Sequence, residues 1–382
     1  RLHQIDTLAP YLPKAFADES FHFFGTVLTG APQQRPRERR ARDLVNTTLG
    51  EAVGKLYVAQ YFPASSKQQV QQLVDNLLVV YHRRLEAITW MAPSTKAEAL
   101  HKLQTLRVSV GYPDHFRAYD GLEIRPDDLA GDTERASLFE YRFNLGRIGQ
   151  PTDPGEWSMT PQTVNAVEMP LNNALNFPAA ILQPPFFDPA APAAANYGAI
   201  GTVIGHEISH TFDSEGSDFD AEGRVRDWWT PADRAHFEAS TAALAAQFDT
   251  YEVLPGLHVN GRQTLGEDIA DLAGINAALD AYHFSLHTHR ELVTGNPSNQ
   301  QARSGAGATT FTGDQQFFIA FGQNWQGKAR EAAQRRQLLT DAHAPGPIRA
   351  ETVRNLDAWY TDFHVTPGEK LYLAPENRIH IF

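Results

Sequence analysis

The sequence predicts a mainly α-helical chain with a small β-sheet, an α+β protein, on three observations. Apolar residues recur at helical spacing through roughly the first 130 positions. Short β-branched, alternating or proline-punctuated segments follow between 163 and 187. Two later runs, 200–213 and 264–279, combine helical periodicity with histidines and carboxylates.

Taken in order, 46–62 places Leu49, Val53, Leu56, Tyr57 and Tyr61 at helical spacing and stops at Pro63. From Ser66 a long amphipathic helix carries Val70, Leu73, Leu77, Leu78, Tyr81, Leu85 and Ile88 on one side. Pro93 begins another helix with Ala97, Leu100 and Leu103 as its stripe, and Gly111 to Asp114 reads as a turn. These stripes are expected to be core and are assigned no chemistry. A Gly/Pro/Asp-rich loop spans about 146–161, a short strand 163–169, and strand and turn 172–187. The run 200–213 is expected to be a helix, with Asn196 available to cap its start. After it come a loop or hairpin with a Gly223 turn and a helix over 230–250, entered at Thr230 and Pro231. Leu265, Ile269, Leu272 and Leu279 make 264–279 helical. The stretch 287–312 reads as a mobile surface loop in which His287 and His289 are solvated. A helix over 313–339 with Phe317, Phe318, Phe321 and Trp325 precedes a proline-fixed turn at 341–349.

Composition narrows the function classes. A chain of 382 residues suggests two domains or part of something larger. The net charge of −12 argues against nucleic-acid binding, and the basic run 35–42 reads as a solvated helix face. With no cysteine, disulfides, thiolate nucleophiles and Cys-ligated zinc are excluded. No run of about 18 apolar residues suggests a membrane span. The start at Arg1 shows neither an initiating Met nor a signal peptide, so the chain is expected to be the later part of a longer one.

The chemistry lies in His206, Glu207 and His210. Residues four apart share a helix face, so both imidazoles can meet one zinc ion. The intervening glutamate can serve as the base that deprotonates a water. Glu267 is either a third ligand or, with Thr264, half of a capping box; periodicity alone does not separate the two. As a ligand it would complete a two-His, one-carboxylate site that keeps a position open, with Asp271 orienting an imidazole from one turn on.

Read together, these stretches go further than a generic zinc motif. Asn165-Ala166, the run 177–187, the run 196–213, Asp227-Trp228-Trp229, 266–271 and 341–349 stand in one order. The series resembles the neprilysin / endothelin-converting-enzyme family of zinc endopeptidases, including its bacterial oligopeptidases. Upstream, 50–57, Trp90-Met91 and 111–114 extend the resemblance over nearly the whole chain. It implies a thermolysin-like zincin catalytic domain over 129–382 and the later half of a helical cap domain over 1–128. The family's chain is considerably longer, so the missing N-terminal half is itself a candidate partner. The resemblance implies one Zn2+ held by His206, His210 and Glu267, with Glu207 as the catalytic carboxylate. It makes Asp271 a supporting aspartate and Asp213 a lesser candidate for similar support. Asn165 and Ala166 would hold the substrate main chain, His343 the developing oxyanion, and Arg349 the substrate beside it. Ile181, Phe186, Val203 and Trp325 would line a pocket for a large hydrophobic residue after the cleaved bond. Where the family often carries aromatics after Asn-Ala, this chain has Val167 and Glu168. The resemblance also implies a large internal cavity between the two domains, which restricts the expected substrates to small peptides. Likeness to bacterial members suggests a periplasmic or secreted protein. The alternatives are a non-catalytic peptide-binding module or inactive fragment with retained zinc, and hydrolysis of a non-peptide amide or ester.

Overall fold

The computed structural model describes residues 2–292 and 311–381. Helices α1 (Leu2–Leu8), α2 (Lys14–Phe21), α3 (Arg37–Thr48), α4 (Gly50–Tyr61), α5 (Ala64–Ala87) and α6 (Pro93–Thr105) lead into strand β1 (Arg107–Gly111). Helix α7 (Leu129–Gly146) precedes β2 (Val167–Met169) and β3 (Ala174–Pro178). Helix α8 (Ala193–Asn196) runs through a π turn, Tyr197–Gly201, into α9 (Thr202–His210). Then come α10 (Pro231–Phe248), the hairpin β4 (Glu252–Leu254) and β5 (Leu257–His258), and the long α11 (Leu265–Leu292). Helices α12 (Gly313–Asn324), α13 (Glu331–Thr340), α14 (Gly346–Ala350) and α15 (Asp357–Phe363) close the chain. The fold is mostly helical with few strands, as its patterning predicts.

Two compact units interleave along the sequence. One comprises Arg1–Tyr61, Tyr112–Gln162 and Lys328–Leu339; the other Phe62–Gly111, Thr163–Gly327 and Thr340–Phe382. The expected division after residue 128 falls inside the middle segment of the first unit, while α5, α6 and β1 belong with α9 and α11. Within the first unit, Gly54 lies against Pro161 and Gln162, and the Arg117 amide donates to Glu51 Oε2 at 2.6 Å. These contacts join helix to loop across a long stretch of chain.

In the second unit β3 is the central strand. It pairs parallel with β1 (Val108 opposite Leu175) and antiparallel with β2 (Glu168 opposite Leu175), leaving β2 at an edge. The apolar stripe of α5 is core as expected, with Val70, Leu73, Leu77, Tyr81 and Leu85 buried. Several sequence expectations are corrected. The strand at 163–169 forms only from Val167. Asn196 caps nothing; its side chain accepts from the Asp188 amide and donates to the Asp188 carbonyl. The helix expected over 313–339 breaks at Trp325, where Gly346 packs against the Trp325 carbonyl. Helix α11 continues through His287, which is exposed, to Leu292; the rest of the expected 287–312 loop, 293–310, lies outside the described residues. On α6 the buried face is Thr95, Ala99, Lys102 and Leu103, while Ala97 is exposed. A lysine occupies a core position there because two carbonyls receive its ammonium.

The dominant packing is α9 against α11. A Cβ on Gly205 would meet the Gly274 carbonyl oxygen at 2.7 Å, and one on Gly274 would meet the His206 nitrogen at 2.6 Å. Backbone therefore touches backbone, a distance only glycine permits. Gly274→Ala should cost about 1–3 kcal/mol of stability through overpacking, read as a lower denaturant midpoint; an unchanged midpoint would contradict this account of the crossing.

Candidate metal centre

Helix α9 presents His206 and His210 one turn apart, and α11 brings Glu267 from its first turn. The two Nε2 atoms lie 2.9 Å apart, and Glu267 Oε2 stands 3.1 Å from His206 Nε2 and 3.7 Å from His210 Nε2. Each imidazole is anchored at its other nitrogen. Asp271 Oδ1 meets His206 Nδ1 at 2.8 Å, and Asp213 Oδ2 meets His210 Nδ1 at 2.6 Å. An ionised carboxylate can only accept, so each Nδ1 carries a proton and each Nε2 is turned inward toward Glu267. Glu267 Oε2 is buried and has no hydrogen-bond donor of its own.

Three atoms of metal-ligating type thus converge on one point, where a cation could take the place of the proton that the two carboxylates hold on His206. A tetrahedral zinc with arms of about 2.0–2.1 Å needs donor separations of about 3.3 Å, close to those present. Among the described residues, no fourth His, Cys, Asp or Glu joins the three within 4.8 Å of all. The set fits a catalytic rather than a closed structural zinc site. The capping-box alternative for Glu267 is not taken: the Thr264 hydroxyl donates to Asp268 Oδ2 at 2.7 Å.

The electrostatics follow from burial and neighbours. Burial disfavours charge on His206, but the carboxylates of Asp271 and Glu267 outweigh it and push its pKa up to about 10. Burial likewise opposes ionisation of Asp271, yet the Arg349 guanidinium beside it holds its carboxyl below the usual range. Arg349 grips Asp271 by a two-pronged contact, Nε to Oδ2 and Nη2 to Oδ1, each 2.7 Å. Its guanidinium stacks over Trp325 at 3.9 Å from the ring centroid.

Of the other residues singled out in the sequence, Glu207 is buried on α9, and no ion pair of the described residues includes it. His343 is half exposed; its Nε2 lies 3.1 Å from Glu267 Oε2 and its Nδ1 2.9 Å from Asp341 Oδ1. Asn165 is exposed and Ala166 buried, immediately before the edge strand β2. Ile181 is buried, whereas Phe186, Val203 and Trp325 are partly buried. Arg349 and Trp325 thus meet at the centre.

Two comparisons of sequence decide the lineage: models described as peptidase family M13 match residues 165–379 and 1–113. The chain belongs to peptidase family M13. It is 34% identical over 381 residues to a neutral endopeptidase of Lactobacillus helveticus, covering 99% of this chain and 55% of that one. To human endothelin-converting enzyme-like 1 it is 35% identical, covering 87% of this chain and 42% of the other. Among solved structures it is similar to the Mycobacterium tuberculosis zinc metalloprotease ZMP1 in complex with an inhibitor. That match has 44% identity and a TM-score of 0.90, over 99% of this chain and 56% of that one. PepO of Lactobacillus rhamnosis follows with 34% identity, a TM-score of 0.86 and coverage of 98% and 56%. This M13 chain therefore spans about half the length of the relatives it matches.

Two buried groups beside the centre escape sequence reasoning. Lys102, 1% exposed, donates from Nζ to the Thr211 and Gly216 carbonyls at 2.7 and 2.6 Å; burial lowers its pKa to about 8. Glu168 on β2 has a buried Oε1 without a partner, and burial raises its pKa to about 8. The readable signal was Lys102 standing at helical spacing with Thr95 and Ala99. A carboxyl raised from 4.5 to about 8 keeps its proton in the fold where the unfolded chain has lost it. Stability due to Glu168 therefore falls as pH rises from about 4.5 toward 8. Glu168→Gln lacks this loss, so its melting temperature relative to the wild type should rise between pH 5.5 and 7.5; a constant difference would refute the assignment.

Proposed function

We propose that this chain carries the catalytic centre of a zinc-dependent endopeptidase acting on small peptides. One observation carries the reading: two imidazole Nε2 atoms and Glu267 Oε2 converge on one point, with Glu207 beside His206 on the same helix. Membership of family M13 supports it. His206, His210 and Glu267 would hold one zinc ion, which when bound acidifies a water toward a pKa of roughly 7 and polarises a carbonyl. Asp271 and Asp213 accept from Nδ1 of the two imidazoles and so turn each Nε2 inward, and Arg349 fixes Asp271 in place.

Glu207 takes a proton on its carboxylate from the attacking water and passes it to the leaving amine. His343, held at Nδ1 by Asp341 and favoured as an imidazolium by its carboxylate neighbours, would donate its Nε2–H to the oxyanion that develops on the substrate carbonyl; loss of such a donor costs about 10²–10³ in rate. The free edge of β2, entered through Asn165 and Ala166, would receive the peptide main chain as an added strand. A hydrophobic residue after the cleaved bond would meet the apolar side chains near Trp325. Retained zinc without turnover would instead favour a peptide-binding module.

Chelator-sensitive cleavage of a short fluorogenic peptide by this chain is the direct test. Glu207→Gln should keep stoichiometric zinc by elemental analysis and lose at least about 10²-fold in kcat, in the range of a lost general base. Glu267→Ala should lose zinc on dialysis, and a fully loaded variant would contradict its place as a ligand.

A further inference from the structure

We infer that Lys102 is a positioning residue for the metal centre, acting from α6 through the Thr211–Gly216 turn on His210. The inference rests on reading His206, His210 and Glu267 as a metal site. Helix α9 ends at His210, where the Thr211 and Phe212 amides close on the Ile208 and Ser209 carbonyls. Lys102 Nζ takes the acceptors that follow: the Thr211 carbonyl just past the helix and the Gly216 carbonyl at the far end of the turn. A cation at a helix C-terminus is also favoured by the helix dipole.

Between those carbonyls stands Asp213, the residue that orients His210. Its Oδ2 holds His210 Nδ1, and its Oδ1 accepts from the amides of Glu215 and Gly216, both at 2.8 Å. The turn is folded tightly on the ligand itself, since a Cβ on Gly216 would lie 1.8 Å from the His210 carbonyl oxygen. One ammonium thus closes the loop that aims one imidazole. The same segment of α6 holds the sheet: Asn173 Nδ2, between β2 and β3, donates to the Lys102 carbonyl at 3.0 Å. Burying a lysine is costly without compensation. No carboxylate pairs with it within 4.0 Å among the described residues, and carbonyl acceptors alone account for its place.

The test compares zinc affinity, by chelator competition, and the visible spectrum of the cobalt-loaded protein in four forms: wild type, Lys102→Met, Asp213→Ala and the double variant. Thr241→Val is the control, since it removes a buried side-chain hydrogen bond that stays within α10, from Oγ1 to the Phe237 carbonyl. Lys102→Met should weaken zinc binding by roughly 10-fold and shift the cobalt bands, as loss of an outer support does. Thr241→Val should leave both unchanged. The double variant should lose little more than Asp213→Ala alone, because both act on one imidazole. Additive losses, or a folded Lys102→Met with wild-type affinity and spectrum, would overturn the inference. If Lys102→Met does not fold, Lys102→Gln, which keeps an amide donor, is read by the same cycle with the same criteria. A wild-type chain that binds neither zinc nor cobalt would instead sink the metal-centre reading itself.

Discussion

The close crossing of α9 and α11 is the constraint on which the metal centre depends. Gly205 and Gly274 let the two backbones touch, and the Gly274 position lies directly against the His206 nitrogen. At that separation the first turns of α11 pass the end of α9, so Glu267 reaches the imidazoles and Asp271 reaches behind His206. A pair of ordinary side chains at the crossing would hold helix axes at the usual 8–10 Å and withdraw the carboxylates. The ligand set is a consequence of backbone contact.

Around that crossing the charges are arranged in layers. Carboxylates face the outer nitrogens of both imidazoles, which turns the inner nitrogens toward Glu267. Asp271 would be a costly buried anion without Arg349, whose fork satisfies both of its oxygens. Arg349 is itself seated on Trp325, so the ring steadies the guanidinium that steadies the carboxylate. Asp271 is held by Arg349 from another element, and Asp213 by the Glu215 and Gly216 amides of its own turn.

The support comes from distant segments. Tyr81 on α5 bonds to the Gly205 carbonyl and Lys102 on α6 to the turn after α9, although both helices precede the motif by about a hundred residues. Periodicity marks such helices as core and stops there. What it cannot register is a single polar atom on a buried face whose partner is a backbone carbonyl elsewhere. Glu168 poses the same difficulty: as a residue in a short strand it reads as solvent-facing, yet its Oε1 is sealed inside.

The sequence by itself determined the helical character, the apolar face of α5, the cap at Thr230 and the spacing that sets His206, Glu207 and His210 on one helix face. All of these are local: a 3.6-residue repeat or a cap involves neighbours along the chain. It also raised Glu267 as a ligand without separating that role from a cap, because both readings use the same residue in the same first turn. Only the tertiary structure sets Glu267 against two imidazoles that come from a distant stretch of chain, which supports the ligand role proposed here, and it turns the Thr264 hydroxyl to Asp268. It alone decided that Lys102 is core and that Trp325 ends a helix. These outcomes depend on which backbone groups arrive from elsewhere, and a one-dimensional pattern carries no record of them.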